Sequence, residues 1–292
     1  MPYEYINSYN LNCVTSLSLS LSTFVLEGII DRKMSWEKNP GILHFVLVPG
    51  ACHGAWCWHK IVSLLRNKGH KVSAVDLAGA GIDPRDADSI SSSEEHNKPL
   101  IDLISTIPDD EKVVLVAHSA GGLSLGYALH LFGKKISLAL YLTAVVHKGL
   151  DSDDKEQFGD HWEFGFGLGP DKPPTSALFR RETQRELLYQ LSPDEDSTLA
   201  SMLLRSWPLG SIYNACYEGE HTKDIDKVPR VYIKTLKDNL LKPELQEEMI
   251  KCWPPTEVMT MDTDHSPFFS APNELLGLLL KASALYCGER IS

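Results

Sequence analysis

Basic residues are scarce in this 292-residue chain, with 28 Lys and Arg against 39 Asp and Glu and a formal net charge of −11 at pH 7. That balance argues against a nucleic-acid surface, which needs clustered cations to meet phosphate. Cysteine is thin as well. Cys13, Cys52, Cys57, Cys216, Cys252 and Cys287 are scattered, with no CxxC pair and no Cys/His cluster at zinc spacing. No metal site is expected, and free thiols in a reducing, cytoplasmic location are. Long apolar runs are also missing. The stretch 11–30 is interrupted by the alternating serines of 16–22, which leaves it too polar to cross a bilayer. No Lys or Arg precedes Arg32, so it lacks the basic lead of a signal peptide and the arginines of a transit peptide. Residues 1–42 therefore read as a disordered or adventitious extension, with Met34 as the start of the working protein.

From residue 43 onward the sequence alternates between strand-like and helix-like segments. Apolar, β-branched runs at 43–48, 71–75, 112–116, 136–143, 230–235 and 257–261 read as strands buried on both faces. Helical patterns at 58–68, 97–107, 243–252 and 272–286 separate them, together with one that follows Gly121. This order predicts an α/β fold, a mostly parallel sheet covered by helices on both faces, with ligands near the carboxyl ends of the strands. Between about 147 and 226 the alternation lapses. That region holds glycine- and proline-rich turns, helical stretches at 182–191 and 197–205, and Trp162, Phe164, Phe166, Phe179, Trp207 and Tyr213. An aromatic-rich insertion between two core strands predicts a cap over the site.

The segment Ala117-His118-Ser119-Ala120-Gly121 lies where a strand ends and a helix begins. A serine on so sharp a turn is raised above the sheet edge with its Oγ exposed, and small residues on either side let the turn form. The hydroxyl needs a base within hydrogen-bond reach, itself oriented by a third group, and in this fold the chain order is serine, acid, histidine. Of eleven histidines, His265 follows the last strand and precedes the last helix, on the same sheet edge as Ser119. His118 adjoins the serine but points elsewhere on such a turn. His44, His70 and His130 fall within or beside regular segments, and His53 lines the first glycine-rich loop. Asp238 follows the strand 230–235 and is expected to orient His265. Asp264 is too close in sequence to do so, Asp262 is a weaker choice, and Asp76 precedes the serine. Two backbone N–H groups are expected to hold the oxyanion, those of Ala120 and of Ala51, because Pro49 has no N–H to give.

Four segments then carry a resemblance: 44–48 (HFVLV), 51–56 (ACHGAW), 118–122 (HSAGG) and 264–269 (DHSPFF). Over residues 43–292 the chain resembles the plant methylesterase family, α/β hydrolases that include salicylic-acid-binding esterases and hydroxynitrile lyases. Residues 165–176 and 230–235 resemble most the branch acting on methyl indole-3-acetate. The resemblance implies a Ser119, Asp238, His265 triad with Ala51 and Ala120 as oxyanion donors. It also implies a cofactor-free serine carboxylesterase acting on methyl esters of small plant-hormone acids: methyl indole-3-acetate, then methyl jasmonate and methyl salicylate. The small ester is the expected partner, nucleic acid and membrane are not, and a homodimer stays open. Two features depart from the family pattern, namely Pro49 where histidine is usual and the leading extension. The lyases carry threonine in place of Gly50 and lysine in place of Ser266. Without that lysine, departing cyanide has no electrostatic partner, so esterase is preferred to lyase. A hormone-binding receptor with a slow triad is the other alternative.

Overall fold

The computed structural model describes residues 41–146, 159–213 and 225–288. The expected extension, with Met34, lies outside them apart from residues 41 and 42. Six strands form one sheet: β1 (His44–Val48), β2 (Lys71–Ala74), β3 (Val113–His118), β4 (Ile136–Leu142), β8 (Arg230–Thr235) and β9 (Glu257–Met261). Their order is β2-β1-β3-β4-β8-β9, and every neighbouring pair is parallel. Helices α1 (His59–Asn67), α2 (Ser93–Thr106), α3 (Gly121–Phe132), α7 (Pro243–Cys252) and α9 (Pro272–Tyr286) connect or follow them, and a single turn, α8 (Pro267–Ser270), precedes α9. This is the expected α/β class. Its physical basis is the alternation of side chains along each strand. Phe45 and Leu47 enter one core layer with residues of α1 and α9, while Val46 and Val48 enter the other with residues of α2 and α3. A strand buried on both faces must be apolar where it is covered, as Phe45–Val48 of β1 and Val113–Ala117 of β3 are, with a histidine at one end of each strand.

The order in which strands are added reverses between β1 and β3, since β2 lies on one side of β1 and β3 with β4 on the other. Loops leaving the carboxyl ends of β1 and β3 diverge there and open the crevice where α/β folds place their ligands. Ala51 follows β1 and Ser119 follows β3.

Several boundaries shift by one to three residues, and two larger departures have local reasons. Helix α2 begins at Ser93 and not at 97, because Ser92 caps it by accepting the Glu95 N–H at 3.1 Å and Glu95 in turn accepts the Ser91 N–H. The region after β4 was expected to hold turns and helical stretches, and it also contains strands. Strands β5 (Trp162–Gly165), β6 (Ser176–Phe179) and β7 (Trp207–Pro208) form an antiparallel three-stranded sheet, with α4 (Arg181–Leu188) and α5 (Asp194–Leu203) between β6 and β7. The short turn α6 (Gly210–Tyr213) closes the described part of this insertion. Trp162, Phe179 and Trp207 pack into one buried stack, with the first two rings 3.8 Å apart. Phe164 and Phe166 are instead exposed.

Candidate active site

Ser119 stands between β3 and α3 with φ +52°, in the left-handed region that costs a non-glycine residue about 1–3 kcal/mol. The fold holds it there by three backbone bonds. The Ser119 N–H donates to Leu142, and its carbonyl accepts from Gly122 and Val145. The helix behind can start this close because positions 121 and 122 carry no side chain. A Cβ on Gly121 would lie 2.4 Å from the Pro49 carbonyl oxygen, and one on Gly122 2.1 Å from that of Val145.

His265 comes from the loop between β9 and α8. Its Nε2 lies 3.0 Å from Ser119 Oγ and its Nδ1 lies 2.8 Å from Asp238 Oδ2. A carboxylate can only accept, so Nδ1 carries the proton and Nε2 offers its lone pair to the serine hydroxyl. Asp238 follows β8 and is almost wholly buried. Beyond His265, its Oδ2 accepts from Thr143 Oγ1 at 2.7 Å and Thr235 Oγ1 at 3.0 Å, and its Oδ1 accepts from the Leu240 and Leu241 N–H groups. Burial pushes the Asp238 carboxyl up, but the charge and hydrogen bond of His265, with the Thr143 and Leu241 bonds, outweigh it and hold the group below its usual range. The carboxylate therefore stays ionised. Thr143, at φ +39° just after β4, was not singled out in the sequence; nothing local marks a threonine as a partner for an aspartate 95 residues on.

The remaining acidic candidates separate by geometry. Asp262 forms an exposed pair with Lys237. Asp264 is fully buried, yet its carboxylate takes its bonds from Leu191 N, Ser192 Oγ, Ser266 N and Ser270 Oγ. Asp76 accepts from the Ala55 N–H. Among the histidines, His44 bonds Glu111 and Ser73, and His70 accepts from the Leu43 N–H. His118 turns from the serine and donates from Nε2 to the His265 carbonyl at 2.7 Å, its ring 4.7 Å from that of His265. Burial, followed by the charge of His265, pushes His118 well below the usual histidine range.

On the other side of Ser119, neither the Ala51 nor the Ala120 N–H has a hydrogen-bond partner among the described residues. The first loop is fixed by Cys52 at φ +65° and by His53, whose Nδ1–H donates to the Ala51 carbonyl at 2.8 Å. A cavity opens beside these two N–H groups, lined by residues that include Leu77, His96, Leu123, Arg205 and Trp207. The arrangement can move a proton from a hydroxyl to an imidazole and stabilise negative charge on an adjacent oxygen. No group of three His, Cys, Asp or Glu side chains that could hold a metal ion occurs among the described residues.

Gly50 completes the first loop. A Cβ there would lie 2.8 Å from Ser119 Cβ and 3.0 Å from His118 Nδ1. Gly50→Ala is expected to displace the hydroxyl and cut ester turnover at least tenfold with little change in melting temperature, since a 1 Å misplacement can cost about 10²-fold. Steady-state rates beside a thermal melt check this; unchanged kcat would show that the loop yields.

Residues 45–277 match the alpha/beta hydrolase family. The chain is 46% identical over 268 residues to methylesterase 17 of Arabidopsis thaliana, covering 88% of this chain and 96% of that protein. It is 42% identical over 248 residues to methyl jasmonate esterase 1 of Vitis vinifera, covering 81% and 95%. Among solved structures, that of the Arabidopsis methylesterase MES16 superposes with a TM-score of 0.77 at 43% identity, over 84% of this chain and all of the other.

Proposed function

This chain belongs to the plant methylesterases of the alpha/beta hydrolase family, carboxylic ester hydrolases, and from that premise we propose that it cleaves methyl esters of small hormone acids, methyl indole-3-acetate first. The observation that carries the reading is the bonded chain Ser119–His265–Asp238 beside a cavity lined by Ala51 and Ala120, whose N–H groups have no partner among the described residues. In this reading Ser119 Oγ attacks the ester carbonyl while His265 Nε2 takes its proton. Asp238 holds the Nδ1–H tautomer and stabilises the imidazolium as it forms. The Ala51 and Ala120 N–H groups hold the developing oxyanion, and losing one such donor typically costs about 3 kcal/mol of barrier. The tetrahedral intermediate collapses, and the proton on Nε2 goes to departing methanol. Water then enters, gives its proton to the same nitrogen, and releases the acid.

The insertion acts in this reading as a cap that shapes the acyl site. Similarity of the chain to the methyl jasmonate esterase supports a hormone ester, and the resemblance of 165–176 and 230–235 to the indole branch ranks methyl indole-3-acetate ahead of methyl jasmonate and methyl salicylate. Lyase chemistry is disfavoured by Ser266, a buried neutral residue directly after His265 that supplies no cation for departing cyanide. A panel of the three methyl esters, with the acid product measured by chromatography, tests the reading. The expected result is the highest kcat/KM on methyl indole-3-acetate, by threefold or more, and no cyanide from mandelonitrile. Acid formation no greater than the background of a Ser119→Ala variant on all three esters would overturn it.

A further inference from the structure

The turn that joins α4 to α5 touches the neighbours of the proposed catalytic groups, one after another. Tyr189 is buried and donates its hydroxyl proton to His53 Nε2 at 2.6 Å, and the other nitrogen of that imidazole donates to the Ala51 carbonyl. Gln190 Nε2 donates to the carbonyl of Lys237, the residue before Asp238, and Asn239, the residue after it, donates to the Glu186 carbonyl at 2.8 Å. The Leu191 N–H and the Ser192 hydroxyl both donate to Asp264 Oδ2 at 2.9 Å, and Asp264 precedes His265. The other Asp264 oxygen accepts from the Ser266 N–H at 3.1 Å and the Ser270 hydroxyl at 2.7 Å. One side of this buried carboxylate therefore fixes the histidine loop and the other fixes the turn.

We propose that residues 189–192 form a positioning clip: through Tyr189 on His53 and Leu191–Ser192 on Asp264, the insertion sets the oxyanion loop and the histidine loop in register for turnover. None of these residues touches the reacting atoms, so Tyr189, Ser192 and Asp264 are positioning residues. Two physical points make the contacts consequential. His53 is a buried neutral imidazole with both nitrogens used; burial lowers it to about 4, so it remains the acceptor of the Tyr189 hydroxyl throughout the neutral range. Asp264 is a buried carboxyl group whose partners among the described residues are two backbone N–H groups and two hydroxyls, so removing one donor leaves a lone pair unmet in a buried site, and the loops must shift to recover it. The inference rests on the assignment of Ser119, Asp238 and His265 made above.

Tyr189→Phe removes one oxygen and keeps the ring. The expected result is a kcat about tenfold lower with KM within twofold. Affinity for a trifluoromethyl ketone analogue of the ester, which adds to Ser119 as a tetrahedral oxyanion, should fall by the same factor, with product-acid affinity unchanged. Active-site titration with a fluorophosphonate normalises each rate to folded sites. Ser192→Ala, a milder change, should lower kcat about threefold on the same terms. In Tyr189→Phe/Ser192→Ala the losses should combine to less than their product, because both act through one turn. Unchanged kcat in both single variants, a change confined to KM, or losses that multiply would each overturn the clip. The assignment beneath it fails separately: fluorophosphonate that labels the wild type elsewhere than Ser119 removes the triad, whereas labelling at Ser119 with unaltered variant kinetics removes only the clip.

Discussion

Replacing Ser119 by alanine is expected to lower kcat on a methyl ester by ~10⁴-fold or more while leaving the fold intact, the residual rate coming from binding and the two N–H groups alone. The substitution removes the oxygen 3.0 Å from His265 Nε2 without adding bulk to a position already crowded by Gly50. A variant that keeps a tenth of the wild-type rate would show that the nucleophile lies elsewhere. Asp238→Asn should cost a similar factor for a different reason. Five donors converge on Asp238, and an amide can accept through only one of its two atoms. If its NH₂ faces His265, the ring takes the other tautomer and presents N–H to the serine, so it can no longer take the proton. Asp262→Asn should change the rate less than twofold, because Asp262 is an exposed partner of Lys237. The reverse ranking would move the acid.

Acidification should unfold this protein more steeply than its carboxylates explain. His53, His96 and His118 are all buried, and burial pushes each below the usual range, His53 and His96 to about 4. In the unfolded chain the same imidazoles take a proton near pH 6.5. Between those limits the unfolded state binds more protons than the folded one, so stability is full above 6.5 and declines as pH falls toward the folded values. His53 and His96 each contribute about 1.4 kcal/mol of loss between pH 7.5 and 5.5, and His118 adds to it in the same direction, a large share of the 5–15 kcal/mol typical of a domain. Urea titrations at the two pH values and constant ionic strength measure this. His96→Gln keeps a donor toward the Ala78 carbonyl and should remove about a third of the loss. A stability that is flat from pH 7.5 to 5.5 would show that these rings are not buried neutral.

The elements that were readable in the chain are those whose signals are local. Ser119 is framed by a strand and a helix within a dozen residues, and Asp238 and His265 each follow an apolar run short enough to be a buried strand. The helix start at Ser93 is also local, set by the Ser92 and Glu95 capping pair, but apolar periodicity alone places it at 97 because the first turn is polar. The insertion strands were not readable. Trp162, Phe164 and Phe166 do alternate with Glu163, Gly165 and Gly167, but the run is short and glycine-broken, its Phe164 and Phe166 are exposed, and its partner strand lies beyond a glycine- and proline-rich turn. Tyr189 and Asp264 were beyond reach for another reason: their partners lie 136 and 73 residues away, and a tyrosine or an aspartate carries no spacing that announces such contacts.

The chain leaves the sheet after Leu142 on β4 and rejoins it at Arg230 on β8, and those strands are direct neighbours. An excursion whose two ends lie on adjacent ladders is a natural unit for recombination, since it could be exchanged with that of a relative while every parallel pairing is kept. Yet the atoms receiving Tyr189, Gln190, Leu191 and Ser192 all sit outside the exchanged piece. A chimaera would therefore inherit its donor's taste for substrates but work at full speed only where that short bend still fits the recipient's three loops.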